Sequence, residues 1–140
     1  QIVFLILSNP FEEMLEKGLI LYLFTAYQKK SGHHFYVLQG ASYKDEFVYD
    51  HELQNLAETH PHIVTYIPTI SRPKEEKNHG WEGETGRVNE ICQKYLDQYG
   101  LTPDETLIYA CGHPDMIEDV KARFIPMEFK VEEERFWKQD

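Results

Sequence analysis

The residues best placed to do chemistry cluster in Tyr109-Ala110-Cys111-Gly112-His113-Pro114-Asp115-Met116-Ile117. A thiol, an imidazole and a carboxylate lie close together there, beside a glycine and a proline. The apolar run Thr106-Leu107-Ile108-Tyr109-Ala110 reads as a buried strand. Gly112 lets the chain turn sharply with no Cβ in the way. Pro114 and Asp115 then open a helix: proline is pre-set for the first turn, and the exposed N–H groups favour an acid there. The predicted unit is a strand, a tight turn and a helix N-terminus, with Cys111 at the carboxyl end of the strand. Open α/β sheets bind their ligands at that end. Cys111 also has a plain reading as a small buried residue, and His113 as a solvent-facing turn residue.

Other reactive groups are scattered. Seven histidines include His33-His34 and His60-Pro61-His62, at the predicted starts of the second and third strands. Their spacing matches no zinc module, so no metal site is expected. No Gly-x-Ser-x-Gly elbow or P-loop supports a hydrolase or kinase. Two cysteines, Cys92 and Cys111, do not make a disulfide framework. Read as free thiols, they point to a reducing compartment, the cytoplasm or an organellar stroma or matrix.

The elements that must position these groups alternate along the chain. Gln1–Leu7 is a continuous apolar run, expected as a central parallel strand buried on both faces. Ser8-Asn9-Pro10 starts a long or broken helix reaching Lys30. Strands follow over 34–40 and 63–70, with helices over 50–60 and 88–99. Pro68 places the third strand at an edge or a bulge. After the 106–110 strand come a helix over 115–124 and a last short strand over 129–131. The fold expected is α/β: an open parallel sheet of about five strands with helices on both faces and right-handed crossovers. With 140 residues, 41% hydrophobic and 14% aromatic, the chain forms one domain with a real core. A net charge of −10 argues against nucleic acid or an anionic membrane as the main partner, and no apolar run is long enough to span a membrane.

Four stretches together carry a resemblance: Tyr66-Ile67-Pro68-Thr69-Ile70-Ser71-Arg72-Pro73, Gly83-Glu84-Thr85-Gly86-Arg87-Val88, the Cys111 run, and Glu134-Arg135-Phe136-Trp137. In this order they resemble the NAD(P)-binding domain of the ferredoxin–NADP reductase family, over nearly the whole chain. Tyr43–Leu53 is similar to that family's stretch after the second strand. The resemblance implies the C-terminal half of a flavoenzyme whose FAD-binding barrel is not in this chain. It implies hydride transfer between NADP(H) and FAD, with a ferredoxin- or flavodoxin-like electron partner. It places Cys111 beside the nicotinamide with Gly112, His113, Pro114 and Met116 around it, and Trp137 over the flavin. Ser71 and Arg72 correspond to the 2′-phosphate site, with Arg87 as a second positive contact. A hydroxyl and a guanidinium suit a phosphate dianion, so NADP is expected over NAD.

The first strand departs from the family. Pro10 and Phe11 match, but no Gly-Thr-Gly turn precedes them, and the segment is about five residues short of the usual phosphate loop. Either the loop is lost or the sequence joins two ends across a gap. A lost loop leaves a second reading, a degenerate non-catalytic module acting in protein interaction or redox-complex regulation. Beginning directly on a strand, the chain is expected to be a piece of a longer protein.

Overall fold

The structure, a computed structural model, describes residues 2–8, 32–47 and 50–135. The helix expected over 10–30 and the site residues expected at Pro10 and Trp137 lie outside the described residues. At the centre, β1 (Ile2–Ser8) pairs in parallel with β2 (His34–Ala41) on one side and β5 (Thr106–Gly112) on the other. Residues Val3 to Leu7 are all buried. A strand flanked on both edges and covered on both faces has no solvent side, so its sequence is apolar throughout rather than alternating. Outward from β2 lies β3 (Val64–Ile70), and outward from β5 lies β6 (Lys130–Arg135); both pairings are parallel. With β4 (Glu84–Thr85) beside β3, the order is β4-β3-β2-β1-β5-β6.

Among the described residues the sheet thus has six strands against about five expected. The extra strand, β4, is two residues long and pairs only with Thr69 and Ile70, too short to leave a hydrophobic pattern. The rest of β3's outer edge is uncovered by β4, which suits Pro68. β6 runs on through Glu132, Glu133 and Glu134, beyond the strand expected over 129–131. Glutamate is a poor strand former. Here it sits at the sheet edge and is neutralised: Glu133 receives Arg135 Nε at 2.7 Å and Lys121 Nζ at 3.2 Å.

Helix α1 (Asp50–Thr59) buries Leu53 and Leu56 on one face of the sheet, against Val3, Leu5, Leu7, Phe35 and Val37. The opposite face carries α2 (Val88–Gln98) and α3 (Pro114–Phe124). Their apolar sides, including Ile91, Leu96, Ile117, Val120 and Phe124, pack on Phe4, Ile6, Leu38 and Ile108. Asp119 joins the two helices, accepting from Asn89 Nδ2 at 2.6 Å and Arg123 Nε at 2.7 Å. Burial pushes its carboxyl up, but these donors outweigh burial and hold it below the ordinary carboxylate value.

Two features of this frame are open to direct test. Gly112 has φ +138°, and a Cβ there would lie 2.2 Å from the Ser8 carbonyl oxygen. Gly112→Ala therefore combines backbone strain with a backbone clash, and should cost at least about 3 kcal/mol in urea unfolding. At the other end of the sheet, His34 Nδ1 donates to the His62 carbonyl at 2.9 Å, and Nε2 lies 2.8 Å from Thr65 Oγ1. Burial lowers its pKa below 6.5 despite the His62 carbonyl, so the fold favours the neutral ring. The unfolded chain then takes up the proton first. This contribution to stability is complete above pH 6.5 and declines as pH falls through that value. The difference in denaturation midpoint between wild type and His34→Gln should shrink on acidification; a gap that widens would contradict the assignment.

Candidate functional site

A cleft of about 490 Å³ runs across the carboxyl ends of β3, β2, β1 and β5. These are the strands on either side of the point where the strand order reverses, between β1 and β5. Loops leaving neighbouring strands diverge there and open a crevice.

Each side chain on the cleft is placed by a short-range cause. On the β3 side, Ser71 N donates to Ala41 O at 2.9 Å, which draws Ser71 and Arg72 against the end of β2. Arg72 Nη1 donates to Tyr43 Oη at 3.1 Å and lies 4.0 Å from Glu75. Its guanidinium carbon is 5.6 Å from the Tyr43 ring centroid. Beneath it, Asn78 is buried and fully engaged. Its Nδ2 donates to Ser42 O (2.9 Å) and Arg72 O (2.8 Å), and its Oδ1 accepts from Lys44 N (2.8 Å).

The floor is made by the start of α2. A Cβ on Gly40 would lie 2.8 Å from Val88 Cβ, so glycine is what lets this helix end approach β2. Thr69 Oγ1 donates to Gly86 O at 2.8 Å, and Gly86 N donates to Ile70 O at 2.9 Å. Those bonds hold Arg87 as the extended residue before α2; no side chain caps that helix. Arg87 and the first residues of α2, Val88 and Asn89, line the same cleft. On the β5 side His113 caps α3, its Nδ1 accepting from Asp115 N at 3.0 Å. In that arrangement Nδ1 carries no proton, and the neutral ring holds its proton on Nε2. His113 N in turn donates to Ser8 Oγ at 3.2 Å.

The electrostatics of the cleft invert those of the chain. Two helix N-termini and two guanidiniums, Arg72 and Arg87, converge on it, while Asp115 is the only acid among its described lining residues. Both helix N-termini carry partial positive charge, and α2, which no side chain caps, also keeps N–H donors unsatisfied, so the arrangement attracts anions, phosphates above all.

The cleft brings together five of the residues singled out from sequence: Ser71, Arg72, Arg87, His113 and Met116. Gly112 and Pro114 flank it through the β5–α3 turn, and both are buried. Cys111 does not line it. The thiol is fully buried on the α1 face of the sheet, packed with Leu7, Val37 and Leu53. Ser8, Gly40, Ser42 and Asn89 line the cleft without being expected there. The first three stand at strand carboxyl ends, and applying the strand-end rule to β1 and β2 as well as β5 finds them. Asn78 carries no such signal, since a loop asparagine becomes a brace only through distant backbone partners.

With this geometry in place, comparison with known proteins is informative. The family model of the oxidoreductase NAD-binding domain matches residues 18–122. One component of the Na(+)-translocating NADH-quinone reductase of Idiomarina loihiensis is 33% identical over 78 residues, 55% of this chain and 18% of that protein. Among solved structures, the cytochrome b5 reductase domain of Ulva prolifera nitrate reductase superposes with a TM-score of 0.73 at 19% identity, covering 95% of this chain and 48% of that one. A ferredoxin NADP+ reductase from Neisseria gonorrhoeae, with bound FAD and NADP, does so with a TM-score of 0.62 at 20% identity, covering 97% and 56%. The chain spans about half the length of these two solved structures. It belongs to the oxidoreductase NAD-binding domain family, and it shares its fold with reductases of the ferredoxin–NADP type.

Proposed function

We propose that the cleft binds NADP(H), and that in the intact protein the dinucleotide exchanges hydride with FAD held by a separate domain of the same polypeptide. The observation that carries the NADP reading is the Ser71–Arg72 pair at the β3 end of the cleft. A hydroxyl and a guanidinium stand together there, and the one acid among the described lining residues, Asp115, belongs to α3 beyond β5. Three interstrand spacings separate β3 from β5, roughly 14 Å, a distance a dinucleotide can bridge.

The present partners of Arg72 do not compete strongly with a phosphate. The Arg72 and Glu75 side chains are 54% and 53% exposed, and their contact is long. Exposed ion pairs contribute little, whereas a bidentate guanidinium–phosphate contact is among the stronger polar interactions. Arg87 and the first amides of α2 suit the phosphates further along the ligand. His113 and Met116, at the start of α3, line the other end of the cleft and suit the nicotinamide half. Bound NADP(H) supplies the hydride donor or acceptor, and the residues of this chain orient it. Cys111, buried on the opposite face, takes no side-chain part in this reading.

The names of the relatives point both ways, one to NADH and one to NADP, so the choice rests on the cleft itself. Titration with 2′,5′-ADP is the direct test, and absence of binding at about millimolar ligand would remove the NADP reading. Arg72→Ala should weaken 2′,5′-ADP about tenfold to a hundredfold, the worth of a charged hydrogen bond, and 5′-AMP less than about twofold. Equal losses for both ligands would contradict a 2′-phosphate role. The second reading, a non-catalytic module of the same fold, draws on the missing glycine turn after β1. It is favoured if the full-length protein binds neither NADP(H) nor NAD(H).

A further inference from the structure

We propose that Asn78 is a positioning residue that sets the preference of the cleft for a 2′-phosphate. The inference rests on the NADP reading and extends it from the residues that would touch the phosphate to the one that fixes their backbone. Asn78 is 2% exposed and lies in the short 3₁₀ turn Glu76–Asn78, well after β3. Its side chain does not reach the cleft. It bonds instead to the backbone of both loops that form the cleft's β2–β3 end: Ser42 O, Lys44 N and Arg72 O.

The chemistry of these bonds requires an amide. Two acceptors and one donor converge on one buried side chain, and only a carboxamide offers both donors on its nitrogen and an acceptor on its oxygen. A buried apolar replacement would strand Ser42 O and Lys44 N and take one donor from Arg72 O, and a carboxylate would face two carbonyls. The Arg72 carbonyl also accepts from Glu75 N at 3.1 Å, and Asn78 N donates to Glu75 O at 3.0 Å. The loop is therefore wound around this asparagine.

The consequence for recognition is specific. Ser42 and Arg72 line the cleft, and Tyr43, between two clamped residues of the first loop, holds the Arg72 guanidinium. Asn78 thus fixes the separation of the two loops at the backbone, while the Arg72 side chain stays more than half exposed and free to adjust. A 2′-phosphate must be met by Ser71 and Arg72 in one geometry, so loss of the brace should be felt by that phosphate. Contacts made by α2 and α3 with the rest of the ligand rest on other bonds.

The test compares 2′,5′-ADP with 5′-AMP, which differ only in the 2′-phosphate, by titration calorimetry on the full-length protein. Asn78→Asp, nearly isosteric, should lower the preference for 2′,5′-ADP about tenfold, the cost of one well-placed bond, and leave 5′-AMP within about twofold. Lys44→Pro is a milder cut. Tyr43 is extended (φ −129°, ψ 147°), as a residue before proline must be, and Lys44 opens a 3₁₀ turn, where proline is tolerated. This change removes the amide that Asn78 accepts from, and should lower the preference about threefold. Lys44→Ala retains that amide and loses only the Nζ contact to His79 O; it should keep the wild-type preference. A folded Asn78→Asp with unchanged preference, or with equal losses for both ligands, overturns the inference alone. Should Asn78→Asp not fold, an unchanged preference in Lys44→Pro does the same. A wild type that binds both ligands alike overturns the NADP reading, and this inference with it.

Discussion

The carbonyl of Ser8 occupies the space a side chain at position 112 would need. That close approach fixes where β1 and β5 end relative to each other, and the remaining geometry of the cleft follows. β1 is the first strand of a set laid down outward through β2 and β3, whereas β5 returns to the other side of β1. A strand order that reverses at this point opens a crevice at the carboxyl ends of the two neighbours. Only a residue without a Cβ, at φ +138°, lets the chain turn into α3 while still touching β1. The same contact sets His113 N against Ser8 Oγ, so the end of one strand supports the first turn of the helix that follows the other.

Charge is organised around this opening rather than for stability. The chain carries ten more acidic than basic formal charges, yet the cleft gathers arginines and the N-termini of α2 and α3. Many of the ion pairs elsewhere join exposed side chains, such as Lys77–Asp45 and Lys130–Glu132. Pairs of that kind contribute about 0–1 kcal/mol each. What they accomplish is to keep surface cations occupied by local acids. Arg87, by contrast, makes no side-chain hydrogen bond or ion pair with the described residues. Electrostatic attraction of an anion is therefore directed at the cleft despite the acidic sign of the whole.

The sheet is legible in the sequence because burial leaves a periodic trace. β1 and β5 read as strands from unbroken apolar runs, and α2 and α3 from helical spacing with a proline at the start of α3. β4 is not legible, since two residues cannot show a period. β6 reads too short because its glutamates deny strand propensity and are rescued by Lys121 and Arg135, which come from α3 and from the strand's own end. In the site, Ser71, Arg72, Arg87, His113 and Met116 are reached through motifs that sit where strands give way to loops or helices. Cys111 reads as pointing to the ligand because it stands at a strand end. The alternation of β5 sets the face of its side chain: Ile108 and Ala110 face α2 and α3, and Cys111 packs on the α1 side. Asn78 is beyond reach because its role exists only once two loops meet.

The cleft divides into a part that follows from topology and a part that does not. Strand ends, diverging loops and two helix N-termini come with any open parallel sheet of this order, and they serve any dinucleotide. In the proposed reading, discrimination between nucleotides falls on the loops after β2 and β3, whose sequences the sheet does not constrain. This is why membership in the family and choice of nucleotide are carried by different residues. It is also why a relative can share the fold and differ in cofactor. Within the discriminating part the division repeats: the backbone under Arg72 is held by a buried amide, while its guanidinium is tied only by exposed contacts. A fixed base with an adjustable charge lowers the ordering cost of binding without locking the charge onto a competing acid. On this proposal the recognition of one phosphate depends on a residue that never reaches it.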